Sequence, residues 1–270
     1  MRLCLSVEVS PSRGATVSRL AGRSVIVTGG GHGIGKAYCH RLAAEGAAVT
    51  IAELDAAAAD AVCEEIAEAG GTALAVPADV ADEDGVGRVA GRALAEFGRI
   101  DGLVNNAAIF ATVPMSRVGI EELSVAEWDR MMAVNLRGMF LACRAVLPVM
   151  RRQGSGRIVN ISSGTALSGS PSRLHYVTSK AGVLGFTRSL AREVGADGIT
   201  VNAVAPGSTL SEEDPDDEVV EMRRRRVGAR ALARLQLPGD VVGAVVFFLS
   251  EDGAFVTGQT LVVDGGATMH

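Results

Sequence analysis

Tyr176 and Lys180 stand four residues apart, ahead of a run rich in Ala, Leu and Phe. If that run is a helix, the two side chains share one face and can reach one small molecule together. A free phenol has a pKa of about 10, too high for a base at neutral pH, and a neighbouring ammonium favours the phenolate. So placed, Tyr176 can pass a proton to or from an alcohol oxygen. Lysine suits this better than arginine, because a compact ammonium can sit close to two hydroxyls at once. Ser163 lies at the end of the apolar run 157–161 and can donate a hydrogen bond to the same oxygen. Composition sharpens the pair. The chain has 2 tyrosines, and of its 26 basic residues only Lys36 and Lys180 are lysines. Standing alone, Tyr-x-x-x-Lys describes a core phenol and a solvated helix lysine equally well. The residues upstream decide between these readings.

The elements that must hold this group can be read from the same text. Residues 24–27 are a short β-branched run that stops at Thr28-Gly-Gly-Gly-His-Gly-Ile-Gly35, and a helical pattern follows to Gly46. Strand, glycine turn and helix is the context in which glycines let a backbone approach a pyrophosphate at a helix N-terminus. A second strand, 48–52, ends at Glu53-Leu54-Asp55. An acid there is placed to bind a ribose diol and would repel a 2′-phosphate. Glu53 is assigned that role, and Asp55 is expected to cap the helix starting at Ala56.

Beyond this unit the alternation continues. Helices are expected at 56–70, 82–97, 124–154, 176–195 and 238–249, and strands at 72–76, 100–104, 157–161, 199–204 and 259–263. The pattern predicts one α/β domain, a Rossmann-type doubly wound sheet of seven parallel strands. Ser124 is the expected N-cap of the long helix, with Glu127 three residues on. Asn135 falls in the middle of that helix, where an amide is costly unless bonded. Residues 110–123 are broken by Pro114 and Gly119. Residues 208–237 change character, from an acidic run at 212–221 to four arginines, Arg223 to Arg226, and are read as a mobile lid. For the arginines, a solvated helix paired with acids one turn earlier is favoured over a role in binding an anionic substrate. Residues 1–20 are read as a flexible leader, or a mis-assigned start, ahead of a domain at 21–270.

At 270 residues the chain can bury a large core. With 48% hydrophobic but only 4% aromatic residues, that core must be Ala, Val, Leu and Ile. A net charge of −5 offers no basic field for nucleic acid. Cys4, Cys39, Cys63 and Cys143 are scattered without C-x-x-C or paired histidines, so neither zinc nor a disulfide framework is expected. The reading is a cytoplasmic protein without a membrane span. The apolar content of helices 124–154 and 176–195 exceeds what one sheet can cover and predicts a homo-tetramer.

Taken jointly, Thr28-Gly-x-x-x-Gly-x-Gly35, Asn105-Asn106-Ala107, Asn135, Ser163, Tyr176-x-x-x-Lys180 and Pro206-Gly207 resemble the short-chain dehydrogenase/reductase family. The resemblance spans roughly residues 21–266. It implies an enzyme that binds NAD(P) and interconverts alcohols and carbonyls. By position, Tyr176 would be the general acid/base, and Lys180 would lower its pKa and hold the nicotinamide ribose. Ser163 would orient the carbonyl, and Asn135 would support a proton-relaying water. Gly29, His32, Gly33, Ile34 and Gly35 would cradle the pyrophosphate, with Glu53 on the ribose. Asp79 and Val80 would line the adenine site, Asn106 and Ala107 would run along the cofactor, and Pro206 and Gly207 would lie near the nicotinamide. Where the family usually has Thr this chain has Ser211, so either Thr209 or Ser211 would bond the carboxamide. The text around Tyr176, 185–190 and 263–266 is similar to NAD-dependent aromatic secondary-alcohol dehydrogenases. With Glu53 present and His32 the one basic candidate in the loop, NAD is expected over NADP, and alcohol oxidation over reduction. Two other readings stand beside this one. One is a 3-oxoacyl-thioester reductase, usually served by NADPH. The other is a catalytically silent nucleotide sensor, disfavoured because the four catalytic positions are kept.

Overall fold

The computed structural model describes residues 18–110, 113, 115–212 and 214–269. Its strands are β1 (Ser24–Thr28), β2 (Ala48–Glu53), β3 (Thr72–Pro77), β4 (Gly102–Asn105), β5 (Gly156–Ile161), β6 (Ile199–Pro206) and β7 (Thr260–Val263). They pair in parallel in the order β3-β2-β1-β4-β5-β6-β7, the seven-stranded sheet that was expected. The central strands are continuous Val, Ile and Ala runs because both of their faces are covered. One face is covered by α1 (Gly33–Ala44), α2 (Ala56–Glu68) and α9 (Gly239–Leu249), through side chains such as Leu42, Ile66 and Val245. The other face is covered by α3 (Glu83–Phe97), α5 (Gly138–Gln153) and α7 (Leu174–Val194), through Val89, Val146 and Val183. Strand order reverses between β1 and β4, which opens a crevice at the carboxyl ends of the strands.

Local chemistry sets the helix ends. Asp55 accepts from Ala58 N at the start of α2, Asp82 from Asp84 N and Gly85 N at the start of α3, and Ser124 from Glu127 N at the start of α4 (Val125–Met132). Gly98 and Gly154 close α3 and α5 in the left-handed conformation. The long helix expected at 124–154 is interrupted. Between α4 and α5 the residues Ala133–Arg137 form a π-turn, and Asn135 sits inside it. The combined helix Val125–Gln153 is long and apolar enough to cross a membrane by length and composition, but half of its most apolar stretch is buried in this protein.

Three expectations need correction. Residues 1–17 of the expected leader lie outside the described residues, as does Cys4. Residues 18–20 belong to the body of the domain: Leu20 is fully buried, and Leu20 N donates to Glu45 O at 2.9 Å. Helix α7 begins at Leu174, two residues before Tyr176, so Tyr176 lies in its first turn. The segment 208–237, read as a mobile lid, is built: α8 (Asp217–Arg224) and a short 3-10 turn (Val227–Ala229) lie between the ends of a parallel bridge from Thr209 to Gln236.

Candidate active site

Strand β5 and helix α7 bring the chemistry together. Beyond Ile161 the chain turns through a short helix, α6 (Thr165–Ser168), before α7. Ser162 Oγ donates to Lys180 O at 2.7 Å and Lys180 Nζ donates to Ile161 O at 2.8 Å, which ties the two elements together. Lys180 Nζ lies 6.0 Å from the centre of the Tyr176 ring, so the pair does share one face. Ser163 Oγ lies 3.0 Å from Thr165 Oγ1 and is close enough to the Tyr176 phenol to favour its charged form. Burial pushes Lys180 down to about 8. Burial also raises the Tyr176 phenol, against opposing pulls from Ser163, Arg173 and Arg223. The Lys180 ammonium donates to a main-chain carbonyl while lying near the ring, and Arg173 and Arg223 also favour the phenolate.

Asn135 is bonded on both sides, which removes the cost of an amide in an apolar helix. Its Oδ1 accepts from Ile109 N at 2.9 Å and its Nδ2 donates to Ser179 Oγ at 3.0 Å. Ser179 Oγ in turn donates to Tyr176 O at 2.7 Å, so the π-turn is latched to the first turn of α7. A cavity of about 10 Å³ lies between Asn135, Lys180, Ile161 and Ala107. That is room for about one water with polar partners on its walls.

The glycine loop makes the second half of the site. Gly29 and Gly33 have φ of +66° and +53°, and a Cβ on Gly35 would fall 1.8 Å from Gly29 O. Glu53, at the tip of β2, turns its carboxylate onto this loop: Oε2 accepts from Gly31 N at 3.0 Å and Oε1 from Leu54 N at 2.8 Å. His32 is the N-cap residue of α1 but makes no side-chain cap, and its Nε2 lies 3.7 Å from Asp55 Oδ2. Ile34 packs against the core beneath the loop. The α1 N-terminus, with no acidic residue in its first turn, suits an anionic pyrophosphate beside the loop, and the Glu53 carboxylate suits a ribose diol.

The remaining candidates divide between rim and scaffold. Asn106 Nδ2 donates to Thr28 O at 3.1 Å and to Gly29 O at 2.8 Å, so its amide clamps β4 to the glycine loop. Ala107 packs on Gly29, where a Cβ would lie 2.8 Å from Ala107 Cα. Asp79 Oδ1 accepts from Ala81 N at 2.8 Å in the turn after β3. Val80 is buried against Gly138. Pro206 O accepts from Gly164 N, and Gly207 N donates to Val263 O, each at 2.9 Å. Thr209 is buried and its Oγ1 donates to Gly207 O at 3.2 Å. Ser211 instead lies on the glycine loop, with its carbonyl 3.1 Å from a Cβ built on Gly33.

Several site residues were not singled out in the sequence. Gly31 and Thr28 were passed over inside the motif, although Thr28 Oγ1 accepts from Asn106 N at 3.0 Å and Ala107 N at 3.1 Å. Phe110 stacks at 5.1 Å on the Tyr176 ring, and Ile109, Met131 and Met115 continue that apolar wall. Residues 111, 112 and 114 of the same stretch lie outside the described residues. The arginine run also divides. Arg225 makes the expected pair with Glu221 one turn earlier, at 3.8 Å. Arg223 does not: it is buried, with Nη2 2.6 Å from Glu212 Oε1 and Nη1 3.3 Å from Ser208 Oγ. Val219 and Val220 on the preceding turn were the signal that this face points inward. Among the described residues no three His, Cys, Asp or Glu side chains are grouped to hold a metal ion.

Comparison with known proteins places these features in company. The family described as enoyl-(acyl carrier protein) reductase matches residues 29–268. A 3-oxoacyl-[acyl-carrier-protein] reductase of Synechocystis sp. is 39% identical over 94% of this chain and 100% of its own length. A probable galactose dehydrogenase of Rhizobium meliloti is 38% identical over 92% of this chain and 95% of its own. A solved short-chain dehydrogenase/reductase of Serratia marcescens superposes with a TM-score of 0.85 at 35% identity, covering 93% of this chain and 100% of that one.

Proposed function

The chain belongs to the short-chain dehydrogenase/reductase family, and from that premise we propose an NAD-dependent dehydrogenase of secondary alcohols in which Tyr176 is the general acid/base. The chain is an oxidoreductase acting on CH–OH groups. The observation that carries the finer reading is the convergence of Ser163, Tyr176 and Lys180 on one face, with Asn135 latched behind them. Bound nicotinamide supplies hydride transfer. Everything else falls to the chain's own residues. Ser163 and Tyr176 hold the substrate oxygen, and during oxidation Tyr176 takes the hydroxyl proton as the phenolate, the form that the nearby Lys180 ammonium favours. The small cavity between Lys180 and Asn135 gives that proton a way on through one water. Phe110, Ile109 and Met131 keep bulk water from the phenol and accept an apolar substrate body.

Cofactor choice follows from Glu53. Its carboxylate is already committed to the loop amide of Gly31, and a 2′-phosphate there would bring like charges together. We expect NAD to exceed NADP at least tenfold in kcat/KM, which is about 1.4 kcal/mol. Glu53→Ala also removes a bond that orders the loop, so both nucleotides should weaken. The readout is therefore their ratio, which should move toward NADP. A wild type that uses both equally, or a mutant with an unchanged ratio, would take the role from Glu53.

The same reading includes a cytoplasmic homo-tetramer. Support comes from the far edge of the sheet, where Phe255 is fully exposed ahead of β7 and Leu261 is 41% exposed within it. Sedimentation at micromolar concentration should give four times the chain mass, and a monomer there would refute it. Free cysteines at 39, 63 and 143 suit a reducing compartment. A second reading, reduction of a 3-oxoacyl thioester, is supported by the name of the Synechocystis relative. A panel of secondary alcohols against acyl thioesters, with NAD and NADPH, separates the two.

A further inference from the structure

Arg173 is the N-cap residue of α7, three positions before Tyr176, and is only 7% exposed. Among the described residues it has no hydrogen-bond or ion-pair partner. Buried guanidinium groups are normally paired, because an unpaired buried charge is costly. Two other buried arginines among the described residues have partners: Arg223 has Glu212, and Arg230 donates to Ser208 O at 2.6 Å. The surroundings add to the cost rather than relieve it. Burial depresses Arg173 below the usual arginine range, and Arg117, Arg226 and Arg223 push in the same direction, so its neighbours are largely cations. Arg223 itself retains a buried Nε without a partner. The first turn of α7 carries no side-chain cap and no acidic residue, so its amides favour an anion at the same place. A largely buried arginine without a partner among the described residues, three positions before Tyr176 and beside other cations, is placed to meet a ligand that brings negative charge.

We propose that Arg173, with Arg223 beside it, seats a carboxylate of the substrate, so that the alcohols oxidised are small hydroxy acids with an apolar body. This rests on the dehydrogenase reading above and names its substrate class. The carboxylate meets the Arg173 fork, the carbinol oxygen meets Ser163 and Tyr176, and the rest lies against Phe110 and Met115. Proximity favours a carboxylate over the phosphate of a phosphopantetheine arm. Arg173 is on the same helical turn as Tyr176, whereas that phosphate is separated from its thioester by the whole arm.

The test pairs each hydroxy acid with its neutral primary amide, for 2-, 3- and 4-hydroxy acids carrying aliphatic or phenyl groups. The wild type should prefer acids at least tenfold in kcat/KM. Arg173→Gln should raise KM for acids at least tenfold and KM for amides less than threefold, while any fall in kcat through the phenol is shared by both substrates. Arg173→Lys should recover part of the acid preference. Equal use of acid and amide by the wild type, or an equal rise in KM for both in Arg173→Gln, would overturn the subsite. Calorimetry with oxamate, 3-hydroxybutyrate and benzoate, with and without NAD, reads binding apart from turnover. Acid-selective binding that disappears in Arg173→Gln, without oxidation of any alcohol, would sustain the subsite and sink the dehydrogenase reading. Acetoacetyl thioesters supply the last arm. Sensitivity to Arg173→Gln with the coenzyme A thioester, and none with the N-acetylcysteamine thioester, would assign the arginines to a phosphate and overturn the carboxylate.

Discussion

Replacing Tyr176 by Phe is expected to cut kcat by about a hundredfold or more, the scale of a lost general acid/base. Nucleotide affinity should stay within about twofold, because the substitution removes one hydroxyl and keeps the ring. The ring's place is held by packing: it is buried, with Phe110 at 5.1 Å, and Ile109 and Met131 belong to the same cluster. The hydroxyl removed faces Ser163, whose Oγ still has Thr165 at 3.0 Å. Thermal stability should therefore be close to that of the wild type. Steady-state oxidation of an accepted alcohol, with a fluorescence titration of NADH, checks both halves. A variant retaining more than a tenth of wild-type kcat would remove Tyr176 from the chemistry.

The second large effect is expected at Gly35. A methyl there would lie 1.8 Å from Gly29 O and 2.6 Å from Asn106 Nδ2. Neither neighbour can yield cheaply. Gly29 N donates to Ala52 O at 2.7 Å, and Gly29 O accepts the Asn106 amide at 2.8 Å. The loop must be displaced as a whole, with overpacking of about 3 kcal/mol. For a chain of this size that corresponds to roughly 6–12 °C in Tm. Dinucleotide affinity should fall at least tenfold if, as proposed, the displaced amides are those that receive the pyrophosphate. Gly91→Ala is the control. It is an exposed helix position with open space around it, and it should gain stability by up to about 1 kcal/mol. If Gly35→Ala melts and binds NAD like the wild type, the cradle is wrongly described.

What could be read in the text was what short spacings encode. Val25 to Val27, Asp55, Ser124 and the pair Tyr176 and Lys180 each act within a turn or a strand of themselves. Their neighbours in sequence are their neighbours in space. That seven strands would form one doubly wound parallel sheet followed from the regular alternation of strand and helix. What could not be read depends on distant packing. Nothing near Arg173 in sequence says that it will be buried with Arg117, Arg223 and Arg226 acting on it from distant segments. Asn106 looked like a cofactor contact, but its amide is taken by carbonyls of Thr28 and Gly29, some 77 residues earlier. The π-turn at Asn135 follows from bonds to Ile109 and Ser179, which no helical period reveals. In Arg223–Arg226 composition implied one behaviour, and burial selected one arginine for another.

The buried amine at position 180 also has a practical meaning. Burial favours the neutral amine of Lys180, so more of it is unprotonated at neutral pH than of an ordinary lysine. The chain's other lysine, Lys36, is engaged with Glu65 at 2.9 Å. Of the two lysines, Lys180 is the one that an amine-directed electrophile small enough to enter the crevice should prefer, and it lies near Tyr176. That makes the protein unusually suited to covalent labelling: a flat salicylaldehyde or a sulfonyl fluoride should mark Lys180, and occupancy of the nucleotide crevice should shield it.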